Sequence, residues 1–313
     1  MSDSEQNSSN WEREVLEKLA FQSLKEQKRN RFWSIFFKSL TLLWLFLTLF
    51  YMFNWIGGAS GNSAEDHTAL IDIQGEIGAQ DQVNADSVIS SLHDAYDNKH
   101  TKGVILRINS PGGSPVQAGI INDEIKRQRQ LHPEIPVYAV VEDICASGGY
   151  YIAVAADKIY VDKASIIGSI GVLMDGFGFT GAMEKFGVER RLMTAGENKA
   201  MLDSFSPVNP KHKALAQAML NEVHQQFISV VREGRGKRLK ETPETFSGLF
   251  WSGEAGIKMG LADELGSYEF VAREVIKQEN IVDFTASEGL ADRVARKFGA
   301  SMTQSLFKGM SLR

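Results

Sequence analysis

Between Ser39 and Ala64 the chain carries no charged residue, and Leu40–Ile56 (LTLLWLFLTLFYMFNWI) is apolar almost throughout. A run of that length with no polar face predicts one membrane-spanning helix over residues 39–57. Phe32–Phe37 adds apolar length before it, and Trp33, Trp44, Tyr51 and Trp55 supply interfacial anchors. A short stretch rich in Gly and Ser, residues 58–66, reads as a flexible linker. Beyond it the pattern changes. Strand-like runs at Thr68–Ile73, Gly103–Ile108, Val137–Val141, Lys158–Val161 and Val188–Thr194 alternate with helical spacing at Asp86–Asn98, Pro115–Gln130, Gly148–Ala156, Gly176–Phe186 and Pro210–Glu233. Such alternation predicts an α/β domain with parallel strand pairs over residues 67–285. Further helices are expected at Gly253–Met259 and Ser267–Lys277, and a C-terminal tail at 286–313.

Charge orients the span. Lys25, Lys28, Arg29, Arg31 and Lys38 precede it, whereas no Lys or Arg occurs from Ser39 to Asn98. The positive-inside rule then puts residues 1–38 in the cytoplasm and the α/β domain on the far side. A cleaved leader is the competing reading, with Asn62-Ser63-Ala64 as its processing site. The 38-residue lead is long for the head of a leader, which favours an uncleaved anchor. Residues 1–10 are polar, and Trp11–Lys28 has helical spacing suited to a membrane-surface or solvated helix.

Composition narrows the chemistry. The net charge of −5 argues against nucleic acid as the main partner, since phosphate binding needs a basic surface. The single cysteine, Cys145, rules out an internal disulfide, and the six histidines lack metal-ligand spacing. Neither a metal nor a cofactor is expected.

Two Gly-rich elements follow expected strands: Ser110-Pro111-Gly112-Gly113-Ser114 and Cys145-Ala146-Ser147-Gly148-Gly149-Tyr150-Tyr151. Each alone is a common turn or helix start. On consecutive strand ends of one sheet they can form two halves of a site. A serine between strand and helix sits exposed on a tight turn, and a glycine N–H beside it can stabilise an oxyanion. A serine hydroxyl needs a base. No histidine lies between His132 and His212, so a lysine of lowered pKa is the alternative. Lys199, in Thr194-Ala195-Gly196-Glu197-Asn198-Lys199-Ala200, stands among the candidates with Lys158, Lys163 and Lys185.

Taken in order, Ser110-Pro111-Gly112-Gly113, Ala146-Ser147-Gly148-Gly149-Tyr150-Tyr151, Gly168-Ser169-Ile170-Gly171-Val172 and Ala195-Gly196-Glu197-Asn198-Lys199 resemble the signal peptide peptidase A family of serine proteases, in its short, single-repeat form. The resemblance covers roughly residues 68–285. It implies the fold of the Clp protease subunit and the crotonases, a spiral of β-β-α units, here preceded by one N-terminal transmembrane helix. It also implies Ser147 as nucleophile, Lys199 as general base, Gly113 and Gly148 as oxyanion donors, Gly112 and Gly149 as loop-shaping residues, and Ser169 as a hydroxyl orienting the lysine. Homo-oligomers are implied, in which serine and lysine can come from different chains. So are hydrophobic peptide substrates, remnant signal peptides among them, cleaved without ATP at the outer face of a bacterial inner membrane. The family pattern says nothing of the 38-residue extension.

Two other classes compete. A crotonase-like acyl-CoA enzyme would use the same oxyanion geometry but belongs in the cytoplasm and does not need Ser147. A silent membrane scaffold would need neither Ser147 nor Lys199. Cys145, two residues from Ser147, is a rival nucleophile, although a lone cysteine near a strand end is usually a small buried hydrophobe.

Overall fold

In a computed structural model of the chain, the described residues are Lys25, 28–50 and 64–286. Nearly all of the expected Trp11–Lys28 helix, the end of the span at 51–57, most of the linker and the tail after Ala286 lie outside them. The chain divides into two units, residues 1–59 and 60–313.

The first unit contributes helix α1, Lys28–Phe50. Its most apolar 18-residue stretch has a mean hydropathy of 1.7, and none of that stretch is buried. At about 1.5 Å per residue the helix is roughly as long as a hydrocarbon core is thick. It begins eleven residues ahead of the expected span, because Phe32, Trp33, Phe36 and Phe37 continue the apolar surface and stack on one another. The Thr41 and Thr48 hydroxyls donate to the carbonyls of Phe37 and Trp44, both at 2.8 Å, so neither leaves an unmet polar group on an apolar helix.

The second unit is α/β, as the alternating pattern requires. In chain order it runs β1 His67–Gln74, α2 Ala85–Asp97, β2 Thr101–Ser110, α3 Pro115–Leu131, β3 Val137–Ala146, α4 Gly148–Ala153, β4 Lys158–Val161, β5 Ile166–Gly168, α5 Thr180–Lys185 and α6 Pro210–Arg235. It continues with β6 Phe250–Ser252, α7 Gly253–Met259, β7 Glu264–Leu265, α8 Tyr268–Phe270 with a π-helical turn Val271–Ile276, and β8 Ile281–Asp283. The sheet order is β6-β5-β3-β2-β1-β8, with β4 pairing the first half of β3 and carrying β7. Every pair is parallel except β5 with β6. The inner strands are apolar on both faces, as a sheet covered on both sides demands. Ile71, Ile73, Leu106, Ile108, Ala139 and Val141 pack beneath Ile121, Ile125 and Val231 in the main core.

Helix starts follow from their caps. Asn84 accepts from Ser87 N at 2.9 Å ahead of α2, and Ser114 and Asn209 cap α3 and α6, each followed by a proline whose missing N–H costs nothing there. Arg235, at the end of α6 and 1% exposed, forks onto both carboxylate oxygens of Asp263 at 2.8 and 2.9 Å. Burial pushes the Asp263 carboxyl up, but Arg235, the Ile159 N–H and Arg238 together outweigh it and the net shift is downward.

Two expectations fail. Val188–Thr194 forms no strand: it has no sheet partner, and Val188, Leu192 and Met193 stand exposed. A β-rich sequence becomes a strand only where a pleated neighbour receives it. The Gly176–Phe186 helix shrinks to α5, which buries none of its residues.

Candidate functional site

The strands β2, β3 and β5 lie side by side and end at Ser110, Ala146 and Gly168, which are matched in register as Ser110 with Cys145 and Ala146 with Gly168. The C-terminal ends of neighbouring parallel strands are where α/β sheets present their ligand sites. A cleft of about 490 Å³ opens there, lined by Gly113, Ser147, Gly148 and Ser169 together with Tyr151, Val172, Leu173, Val223 and Phe227. Its walls are thus mainly apolar.

Ser147 joins β3 to α4 with φ 51° and ψ −121°. A non-glycine residue held at positive φ costs about 1–3 kcal/mol and persists only where its surroundings enforce it. The enforcement is visible. Its N–H donates to Gly168 O at 2.9 Å and its carbonyl accepts from Tyr151 N at 2.9 Å, so both sides of the turn are tied. The turn projects Ser147 at the N-terminus of α4, whose first N–H groups have no intrahelical acceptor.

The opposite wall is the 111–114 loop. Gly112 N donates to Ser110 Oγ at 3.2 Å, and that hydroxyl donates to Gly75 O at 2.6 Å. Ile77 brackets the loop, donating to Gly112 O at 2.9 Å and accepting from Ser114 N at 2.7 Å. These bonds use the groups on either side of the Gly113 N–H and not that N–H itself. Gly112 and Gly113 hold φ of 105° and 145°. A Cβ on Gly112 would come 2.7 Å from the Ser147 Cβ, and one on Gly113 would come 2.1 Å from Ile77 O. A Cβ on Gly148 would come 3.3 Å from Gly113 N, so the Gly148 backbone and the Gly113 N–H face each other closely. Gly149 packs on Ser110, where a Cβ would come 3.1 Å from its carbonyl oxygen.

Ser169, with φ 50°, lines the same cleft, and its N–H donates to Leu249 O at 2.8 Å. His224 of α6 donates from Nε2 to Ile170 O at 3.1 Å and so steadies this stretch. The α6 wall was not anticipated from sequence. Its signal is the i, i+3, i+4 spacing of Val223, Gln226 and Phe227, which ordinary core packing also produces.

Lys199 is placed differently. It does not line the cleft, and it is exposed in a turn that follows the non-strand segment. Flanking residues anchor that turn to the start of α6, through Glu197 with Lys211 at 2.8 Å and Asn198 with His212 at 3.0 Å. Ser147, Gly113, Gly148 and Ser169 are therefore brought together within one chain, and Lys199 is not. Cys145 is fully buried, lies outside the cleft lining, and burial pushes its thiol far above the ordinary value, which disfavours a nucleophilic thiolate. Lys158, one rival lysine, is paired with Glu264 at 2.8 Å. Among the described residues no three His, Cys, Asp or Glu side chains converge as metal ligands.

Comparison with known proteins identifies the family. The sequence profile of "Peptidase family S49" matches residues 129–282. A Synechocystis protein named "Putative protease" is 30% identical over 207 residues, covering 66% of this chain and 72% of its own length. The "Putative signal peptide peptidase SppA" of Enterococcus faecium is 28% identical over 238 residues, covering 72% and 69%. The chain belongs to the S49 peptidase family, within the signal peptide peptidase A group. It is also 43% identical over 188 residues to a Brucella abortus protein named "Na(+)/H(+) antiporter NhaA", covering 60% of this chain. The chain spans only about a quarter of the length of that relative and of its Brucella melitensis counterpart. Among solved structures, a ClpP1 variant from Listeria monocytogenes is 17% identical, with a TM-score of 0.41, covering 63% of this chain and 91% of its own.

Proposed function

We propose that the chain is a membrane-anchored serine endopeptidase that cleaves hydrophobic peptides, remnant signal peptides among them, without ATP. The observation that carries the reading is Ser147 on a positive-φ strand-to-helix turn, sharing an apolar cleft with the backbone of Gly113 and Gly148. Ser147 Oγ attacks the peptide carbonyl carbon while neutral Lys199 Nζ takes its proton. The N–H groups of Gly113 and Gly148 hold the tetrahedral oxyanion, a contribution of about 2.7–4 kcal/mol for a donor of this kind. Lysine then returns the proton to the leaving amine as the C–N bond breaks. Water, deprotonated by the same lysine, attacks the acyl-serine, and collapse of the second intermediate frees the acid and restores Ser147. Ser169 is assigned to orient the lysine.

The reading needs Lys199 to reach a serine, and self-association supplies it. Lys199 lies on a stretch whose Leu173, Phe177, Phe186 and Met193 are 77–95% exposed. Large apolar side chains left this bare along one segment are what a second copy would cover. In that assembly the lysine of one chain serves the serine of its neighbour. The reading also places α1 in a bacterial inner membrane, with residues 1–38 cytoplasmic and the peptidase domain outside. A tethered site there meets apolar segments at high effective concentration.

The test uses the full chain in detergent and a quenched-fluorescent apolar peptide without ATP, comparing wild type, Ser147→Ala and Lys199→Ala. Cleavage by wild type alone supports the reading. Equal cleavage by all three, or none by a folded wild type, rejects it.

A further inference from the structure

We infer that Asn122 is a positioning residue that fixes the distance between the two oxyanion donors. This rests on the proposed reaction at Ser147.

Helix α4 is only six residues long and ends in tight turns. Ala155 N donates to Ile152 O at 3.1 Å and Ala156 N to Ala153 O at 3.1 Å, so the bond that a continuing α-helix would make from Ala155 to Tyr151 O is absent. Tyr151 O lies in the interior, where an unmet carbonyl is costly. Asn122, fully buried in the middle of α3, meets it: its Nδ2–H donates to Tyr151 O at 2.7 Å. The same carboxamide leaves its Oδ1 buried with no hydrogen-bond partner. An unmet buried acceptor costs about 1–3 kcal/mol, so asparagine at this place is a poor choice for stability alone. What it gains is a polar tie between two helices.

Those helices carry the two halves of the oxyanion site. Helix α3 starts directly behind the 111–114 loop, with Ser114 as its cap and Gly113 just before it. Helix α4 starts at Gly148, immediately after Ser147. Arg129, near the far end of α3, donates to Ala155 O at 2.8 Å just beyond α4. Alongside the Ser147 end of α4, however, it is apolar contact among Ala118, Ile121 and the α4 side chains that, without the Asn122 tie, sets how far one helix slides on the other. Apolar packing is tolerant of direction, whereas a buried 2.7 Å hydrogen bond is not. A displacement of about 1 Å between Gly113 and Gly148 is enough to cost on the order of 100-fold in rate.

The test is Asn122→Leu, which keeps the bulk and removes the donor, with Asn122→Ser as a second variant too short to reach the carbonyl. Both are made in the full chain in detergent beside wild type and Ser147→Ala. We expect kcat per folded molecule to fall about 10- to 100-fold with KM within about twofold. Inhibition by a peptide boronic acid, which mimics the tetrahedral state, should weaken in proportion to kcat/KM, while an uncleavable peptide binds as before. Wild-type kcat and boronate affinity in either folded variant, with only the melting temperature moved, overturns the inference and leaves the peptidase reading standing. An inactive, boronate-blind wild type instead overturns that reading and the inference with it.

Discussion

The backbone N–H of Ser147 donates to the carbonyl of Gly168 at 2.9 Å, and this bond ties the turn holding the proposed nucleophile to the end of the neighbouring strand. Gly168 can offer its carbonyl there because its own φ is 107° and a Cβ would come 2.7 Å from the Trp251 ring. One residue on, Ser169 enters the cleft. The strained serine, the proposed lysine-orienting hydroxyl and the sheet edge at β6 thus form a single mechanical unit, and perturbing any glycine around it should be felt at Ser147.

Gly112→Ala tests the opposite wall. The new methyl would sit 2.7 Å from Ser147 Cβ and 2.8 Å from Gly148 N, at a φ that alanine adopts only under strain. Hydrolysis should fall by about 100-fold or more as the oxyanion geometry shifts. Circular dichroism should retain the native spectrum, and unchanged turnover would show that the loop does not serve the reaction.

Cys145→Ala should leave hydrolysis within about twofold of wild type, at a modest stability cost for the small buried cavity it creates. Thiol reagents should not inhibit, because the thiol is fully buried and shifted toward its protonated form. Loss of activity in this variant, with Ser147→Ala active, would reverse the assignment.

Acid should weaken the fold partly through Glu124. Hydrogen bonds led by that of Arg127 lower its carboxyl from 4.5 to about 2, with Gln128 and His93 adding to the effect. A depressed carboxylate contributes stability that is complete above the unfolded value and is lost as the pH falls toward the folded one. The loss should therefore fall between about pH 4.5 and pH 2. Urea unfolding of Glu124→Gln should show a shallower decline across that window than wild type, and parallel curves would refute it.

Asp263→Ala strands the buried guanidinium of Arg235 and should cost about 3–5 kcal/mol, measured as a shifted urea midpoint. A change below about 1 kcal/mol would mean the pair is of the weak, solvated kind.

Much of this was readable from residue order. Pro115 and Pro210, each behind a polar cap, mark helix starts that the structure reproduces, and the long aliphatic runs of β1, β2 and β3 could hardly be anything but buried strands. The Ser147 turn and its two glycine walls followed from motifs standing on strand ends. Three-residue strands such as β5 and β6 were not readable, since a period cannot be counted over so few positions. Val188–Thr194 misled because local β preference says nothing about whether a partner strand exists. Asn122 was invisible for a different reason: its role depends on where α4 stops, which only the packed structure reveals.

The proposed assembly predicts that Phe186→Glu with Met193→Glu, at positions 83% and 95% exposed, yields monomers by sedimentation with little change in melting temperature. Hydrolysis should be lost with assembly, because Lys199 then has no serine within reach. An active monomer would place the base elsewhere.

The central claim is that Ser147 forms the covalent intermediate. A fluorophosphonate probe on the full chain, followed by mass spectrometry of the digested protein, tests it most directly. The account predicts one adduct, on Ser147, that forms in step with loss of peptide hydrolysis and vanishes in Ser147→Ala. Undiminished hydrolysis by Ser147→Ala, or inactivation with the adduct on another residue, would contradict it.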